Sequence, residues 1–157
     1  MIKKIVLWVV TILWASTIFH FSAQSALESK VVSQGVVEKL VNLLPCAADM
    51  TQAEKDALAD GLHKAVRKTA HFCIYAVLGV CIFSLLISYH FAFGGAFWRA
   101  VILGGLYAVS DEVHQLFVPG RSGEVADVLL DTCGVSIGAF LILVILFIWK
   151  KYRTKCM

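Results

Sequence analysis

The chain has 157 residues, of which 59% are hydrophobic and only 16% charged. Soluble domains average roughly 45–50% apolar and about 25% charged, so this excess, gathered in long blocks, points to a membrane protein. The net charge of +3 does not indicate a nucleic-acid partner, because the basic residues at the two termini flank apolar runs and form no basic face with interleaved aromatics.

In chain order, the first apolar run covers about residues 5–21. Lys3 and Lys4 before it and the small residues Ser22, Ala23 and Ser25 after it also fit a cleavable signal peptide. Its length exceeds the usual 7–15-residue signal core, and Trp8 and Trp14 suit a retained helix. A helical segment of about residues 26–69 follows. Ser25-Ala26-Leu27-Glu28 and Thr51-Gln52-Ala53-Glu54 are capping boxes, each opening an amphipathic helix. Val32, Val36, Leu40 and Leu43 form the stripe of the first, and Pro45 ends it; Leu58, Leu62 and Val66 form that of the second. These helices either lie on a membrane face or pack on the bundle.

Further spans are predicted at about residues 70–88, 96–117 and 126–149, each near the 20 residues needed to cross a hydrocarbon core. The fold class is therefore all-α: a polytopic bundle of four transmembrane helices with an extracytoplasmic helical segment between the first two, forming one domain over residues 1–157. Cys73, Cys81 and Cys133 fall in apolar spans, Cys46 in a loop and Cys156 in the tail. This odd set, without a C-x-x-C spacing, predicts neither a disulfide framework nor a thiolate zinc site.

Charge sets the expected orientation. Lys3, Lys4, Arg99, Lys150, Lys151, Arg153 and Lys155 flank the spans on one side, with no acidic residue among them. The opposite side holds the remaining seven basic residues and all eleven acidic ones, leaving it four charges negative. The positive-inside rule then places both termini in the cytoplasm and the acidic regions outside a cell membrane.

The polar chemistry gathers at the predicted outer ends of three spans. Arg67, Lys68, His71 and Tyr75 share a helix face at spacings of three and four. Asp111, His114 and Gln115 share another, with Glu112 beside it, and Asp127 and Asp131 a third. Ionisable groups within spans are costly and usually face the protein interior, so these predict one outward-facing pocket. Between the last two spans, Pro119, Gly120 and Gly123 make a tight turn carrying Arg121, whose planar fork suits a phosphate or carboxylate. Arg121 could equally pair with Asp127 or Glu112. Gly134 and Gly138 form a G-x-x-x-G packing motif, for which Gly104 and Gly105 could supply the opposing groove.

Four uses of the polar cluster follow: binding or remodelling an anionic or amphiphilic envelope molecule; acid–base hydrolysis of a lipid phosphate or lipid-linked precursor; a metal site; or an ion-pair lattice that only holds helices in register. No H-E-x-x-H or comparable motif supports a metal, and none is expected, nor any other cofactor. Neither Ser110 nor Ser122 has a nucleophile-elbow context, which weighs against covalent catalysis.

Several runs resemble VanZ-like bacterial membrane proteins: Phe21-Ser22-Ala23-Gln24-Ser25; Arg67-Lys68-x-x-His71-Phe72-x-x-Tyr75-x-x-Leu78-Gly79; Ser110-Asp111-Glu112-x-His114-Gln115-x-Phe117-Val118-Pro119-Gly120-Arg121; and Asp127-Val128-x-x-Asp131-x-x-Gly134-x-x-x-Gly138. The family often has Asn where Asp131 stands. The resemblance covers most of the chain and implies a cell-envelope role, the founding member being associated with resistance to teicoplanin, a lipid-tailed glycopeptide. The expected partners are membrane lipids and an anionic or amphiphilic envelope molecule or the lipoglycopeptide itself. The expected binding residues are Arg67, Lys68, His71, Tyr75, Asp111, Glu112, His114, Gln115, Arg121 and Asp127.

Overall fold

Both capping boxes form. In the computed structural model, which describes residues 1–45 and 50–155, the Ser25 hydroxyl accepts from the Glu28 N–H while the Glu28 carboxylate accepts from the Ser25 N–H; Thr51 and Glu54 repeat the exchange. The described residues form five helices and no strand: α1 (Ile2–Ser22), α2 (Ala26–Asn42), α3 (Gln52–Ser88), α4 (Phe93–Gln115) and α5 (Val125–Lys155). All but α2 are long and apolar enough to cross a membrane, and the chain is an all-α membrane protein.

The second predicted span is the C-terminal half of a longer helix. At 1.5 Å per residue, the 37 residues of α3 extend about 55 Å, well beyond a hydrocarbon core of roughly 30 Å. No proline or paired glycine interrupts the run from residue 52 to 88, so the amphipathic segment continues directly into the span. The third helix starts and ends slightly before its expected limits, because Phe117 and Val118 belong to the following turn.

Four alternating crossings bring both termini to one end of the bundle. There the Trp8 indole N–H donates to the Tyr89 hydroxyl at 3.1 Å, and the Lys4 ammonium lies over the Tyr89 ring. Lys150 likewise lies near the ring of Phe93. Helix α2 and the turn between α4 and α5 sit at the opposite end, tied by the Ala26 N–H donating to the Pro119 carbonyl at 3.3 Å. Gly120 in that turn has φ +74°, a conformation open to glycine at no steric cost.

The main interface, between α3 and α5, is made by backbone approach. A side chain at Gly134 would meet the Phe72 carbonyl, and one at Gly138 the Ala76 carbonyl. Gly79 on α3 in turn receives the Val135 carbonyl. The groove opposite the G-x-x-x-G motif therefore belongs to α3, not to Gly104 and Gly105 as expected; Gly104 accommodates the Val135 side chain and Gly105 faces Thr132. Small residues lower the helix–helix distance where apolar burial alone offers little drive in lipid. The buried centre is completed by Ile18, Tyr75, Leu78, Phe83, Ala100 and Ala139.

Helix α1 is held differently. The Trp14 indole donates to the Ile74 carbonyl at 2.8 Å, and the Tyr107 hydroxyl to the Ala15 carbonyl at 2.7 Å. Ile5, Val9, Ile12 and Leu13 remain exposed on its other faces, as suits a lipid-facing helix. Cys73, Cys81 and Cys133 carry free thiols, while Cys46 and Cys156 lie outside the described residues.

Candidate functional site

The predicted site residues of α3, α4 and α5 occur at the end of the bundle away from the termini, where the middle of the long helix α3 meets the end of α4 and the start of α5. They separate into three groups of different chemistry.

The outermost is an ion-pair network. The Lys68 ammonium contacts Glu124 at 2.9 Å and Asp127 at 2.5 Å. The Glu112 carboxylate, on α4, accepts from the Glu124 N–H at 2.5 Å and so takes one of the free donors at the start of α5. The Lys68 hydrogen bond and charge hold the Glu124 carboxyl below its ordinary value. Lys68 in the middle of α3, Glu112 near the end of α4 and Asp127 near the start of α5 thus tie three helices together, as an ion-pair lattice would.

The second group is a chain of hydrogen bonds beneath the turn. The Ser22 hydroxyl, fully buried at the end of α1, donates to Asp111 Oδ2 at 2.7 Å. Gln115 Nε2 donates to the same oxygen at 3.3 Å. The Gln115 carbonyl oxygen accepts from Arg121 at 3.2 Å, and Arg121 also reaches the Phe21 carbonyl at 3.4 Å. Arg121 therefore pairs with neither Asp127 nor Glu112; Lys68 has already taken Asp127, and the guanidinium is turned toward α1. Burial, followed by the nearby Arg67 charge, lowers its pKa from the usual value. An anion placed between the two arginines would relieve that repulsion.

The third group lies deepest. His71 Nδ1 is 3.6 Å from Asp131 Oδ2, and the His71 and Tyr75 rings stack with centroids 6.4 Å apart. Asp111 and Asp131 are each 2% exposed and Tyr75 is completely buried. The Tyr75 hydroxyl, Asp111 Oδ1 and Asp131 Oδ1 have no hydrogen-bond partner among the described residues.

The face shared by Asp111, His114 and Gln115 is split in the structure. Asp111 and Gln115 point into the bundle, whereas His114 stacks on the Phe19 ring of α1 at 4.3 Å between centroids. Arg67 has no ion-pair partner within 4 Å among the described residues.

A cleft of about 280 Å³ opens between α2, α3 and the end of α1. Phe21, Val32, Val36, Val66 and Ile74 make its apolar walls, and Arg67, His71 and Arg121 its charged and polar side, with Gln24, Ser29 and Ser33. This arrangement accommodates an amphiphile: an apolar body against the valines and an anionic head beside two guanidinium groups. Sequence reasoning missed Ser22 and Gln24 as site residues. Their positions just past the first span, within the Phe21–Ser25 run, were the available signal. The stripe on α2 was legible, but not its use as a cleft wall.

No curated protein and no solved structure gives a significant match. A sequence model of the VanZ/LLP1 family, however, matches residues 7–148, from within α1 almost to the end of α5 and through every polar group described above. By that match, the chain belongs to the VanZ/LLP1 family.

Proposed function

We propose that this protein acts in the bacterial cell envelope by binding an anionic amphiphile in the cleft between α2 and α3, and that this binding lowers susceptibility to lipoglycopeptides such as teicoplanin. The observation that carries the reading is the pairing of Arg67, which has no ion-pair partner among the described residues, with Arg121 beside an apolar wall of valines. Charged side chains that only held helices together would be expected to find carboxylates, as Lys68 does. The segregated basic residues support cytoplasmic termini, which would turn the cleft outward to where a lipoglycopeptide acts. Family membership supports the envelope role.

The test compares teicoplanin and vancomycin susceptibility in a sensitive Gram-positive host expressing the wild type, Arg67→Gln or Arg121→Gln at matched membrane levels. The wild type is expected to raise tolerance to teicoplanin more than to vancomycin, and both variants to lose most of that protection. Full protection by both variants would refute the reading. Release of phosphate from a lipid phosphate by the purified protein would redirect it to hydrolysis.

A further inference from the structure

Beneath the cleft, three side chains from three helices converge: His71 of α3, Asp111 of α4 and Asp131 of α5. One ligating atom from each lies within 4.8 Å of the other two. His71 Nδ1 and Asp131 Oδ2 are 3.6 Å apart. Two ligands each about 2.0–2.2 Å from a tetrahedral ion lie about 3.4 Å apart, so this pair needs almost no adjustment.

The hydrogen bonding around the three residues is lopsided. Asp111 Oδ2 accepts from both Ser22 and Gln115, while Asp111 Oδ1 accepts from nothing. The two donors fix the carboxylate and leave its other oxygen buried and unpartnered, as second-shell partners do for metal-binding carboxylates. Asp131 Oδ1 is likewise without a partner. The Tyr75 hydroxyl, fully buried in the same region, likewise makes no hydrogen bond of normal geometry.

Charge makes the same case independently. Two carboxylates that are each 2% exposed have no lysine or arginine nitrogen within 4 Å among the described residues. Lys68 is bound to Glu124 and Asp127, and Arg121 reaches Gln115 and the Phe21 carbonyl. A buried carboxylate is costly to keep ionised without a partner charge, and beyond the His71 imidazole beside Asp131 no cation stands within 4 Å of either group among the described residues, so a bound cation would let both stay ionised. A divalent ion supplies two positive charges.

From these observations we infer that His71, Asp111 and Asp131 bind one divalent transition-metal ion of the zinc type. One imidazole and two carboxylates form a nitrogen–oxygen set that suits Zn²⁺, whereas Mg²⁺ demands an octahedral oxygen shell. Three protein ligands leave a fourth position open to water, the Tyr75 hydroxyl or an anionic group. His71 also lines the amphiphile cleft, which gives the ion a path in. The ion would be held whichever amphiphile occupies the cleft, so the site does not rest on that reading.

The test uses the full chain, purified in detergent on a histidine-free tag, stripped with a chelator, reloaded with Zn²⁺ and desalted. The wild type is expected to keep about one ion per chain in the presence of excess Mg²⁺. His71→Gln and Asp131→Asn should each weaken Zn²⁺ binding by about tenfold or more, while His63→Gln, at the Ser33 contact outside the site, should not. A wild type that retains no more zinc than the His71→Gln/Asp131→Asn double variant would overturn the inference. X-ray absorption on loaded wild type decides the matter even if a variant fails to fold. One imidazole with oxygen ligands supports the site; several imidazoles, or none, overturn it.

Discussion

The two ends of the bundle use the same cations in opposite ways. At the end holding the termini, Lys4 lies over Tyr89 at 4.3 Å, Arg99 over Phe91 at 4.8 Å and Arg153 over Trp149 at 5.2 Å from the ring centroids. No acidic residue is found in the three sequence segments that supply these cations. A cation over a ring keeps its outer face hydrated and tolerates small shifts, which suits long side chains at a lipid–water boundary. At the other end, Lys68 grips two carboxylates, Arg121 is half-buried against an amide and a carbonyl, and Asp111 and Asp131 are buried beside Ser22, Gln115 and His71. Embedding such groups within membrane helices is costly, and function is the usual reason they persist. The first end anchors the protein; the second holds its polar chemistry.

That contrast depends on the α3–α5 contact, which brings His71 and Lys68 on one helix to Asp131 and Asp127 on the other. The largest expected effect is therefore from Gly138→Val. The new side chain would run into the Ala76 carbonyl, and backbone cannot move aside as a flexible side chain can. Overpacking typically costs about 1–3 kcal/mol, and a clash with backbone belongs at the upper end of that range. Thermal unfolding in detergent should show it, together with loss of the Lys68–Asp127 register. Gly61→Ala is the matched control: nothing lies within 4 Å of its added methyl, and alanine in a helix interior should stabilise by about 1 kcal/mol. Equal effects from the two substitutions would mean that close approach does not hold the polar end together.

The helices were legible because their signals are local. Apolar runs mark the spans, Ser25/Glu28 and Thr51/Glu54 mark two helix starts, and Pro119-Gly120 marks the last turn. The spacings of Lys68 with His71 and of Asp127 with Asp131 do turn each pair toward the facing helix, but the predicted face of Asp111, His114 and Gln115 is split. Partner choice was not legible, because it depends on how helices rotate against one another. His114 and Gln115 are neighbours in sequence, yet one meets the Phe19 ring and the other Asp111. Arg121 could reach either of two carboxylates by sequence, but Lys68 holds Asp127 and the Glu124 N–H engages Glu112. The convergence of His71, Asp111 and Asp131 was hidden for the same reason: its ligands come one from each of three helices, so no short motif announces it.

A smaller effect is expected at the ion-pair network. Lys68 and Glu124 are a third to a half exposed, so solvent and salt screen them, and the Lys68–Asp127 pair should contribute about 1 kcal/mol or less. Lys68→Met should lower the unfolding midpoint modestly, and added salt should narrow its gap to the wild type. The Glu124 carboxyl is held below its ordinary value of 4.5, so its contribution is present above that pH and is lost as pH falls through the lowered folded-state value. Glu124→Gln should therefore differ from the wild type by a constant amount near neutrality and converge with it in acid. Divergence in acid would mean that Lys68 does not stabilise the ionised form.

The smallest effect should come from the opposite end. Arg153→Gln removes the cation over Trp149, a contact worth about 0.5–1 kcal/mol at an exposed site. It should barely change unfolding and should leave protection from teicoplanin intact, since nothing in the polar network reaches α5 that far along. The sharper comparison sets Arg153→Gln beside Arg67→Gln in the same susceptibility assay: each removes one cation, neither of which has an ion-pair partner among the described residues. Loss of protection in Arg67→Gln alone would assign activity to the cleft and anchoring to the aromatic end. Equal loss in both would show that protection tracks overall cationic charge or membrane seating, and the division of labour between the two ends would fail.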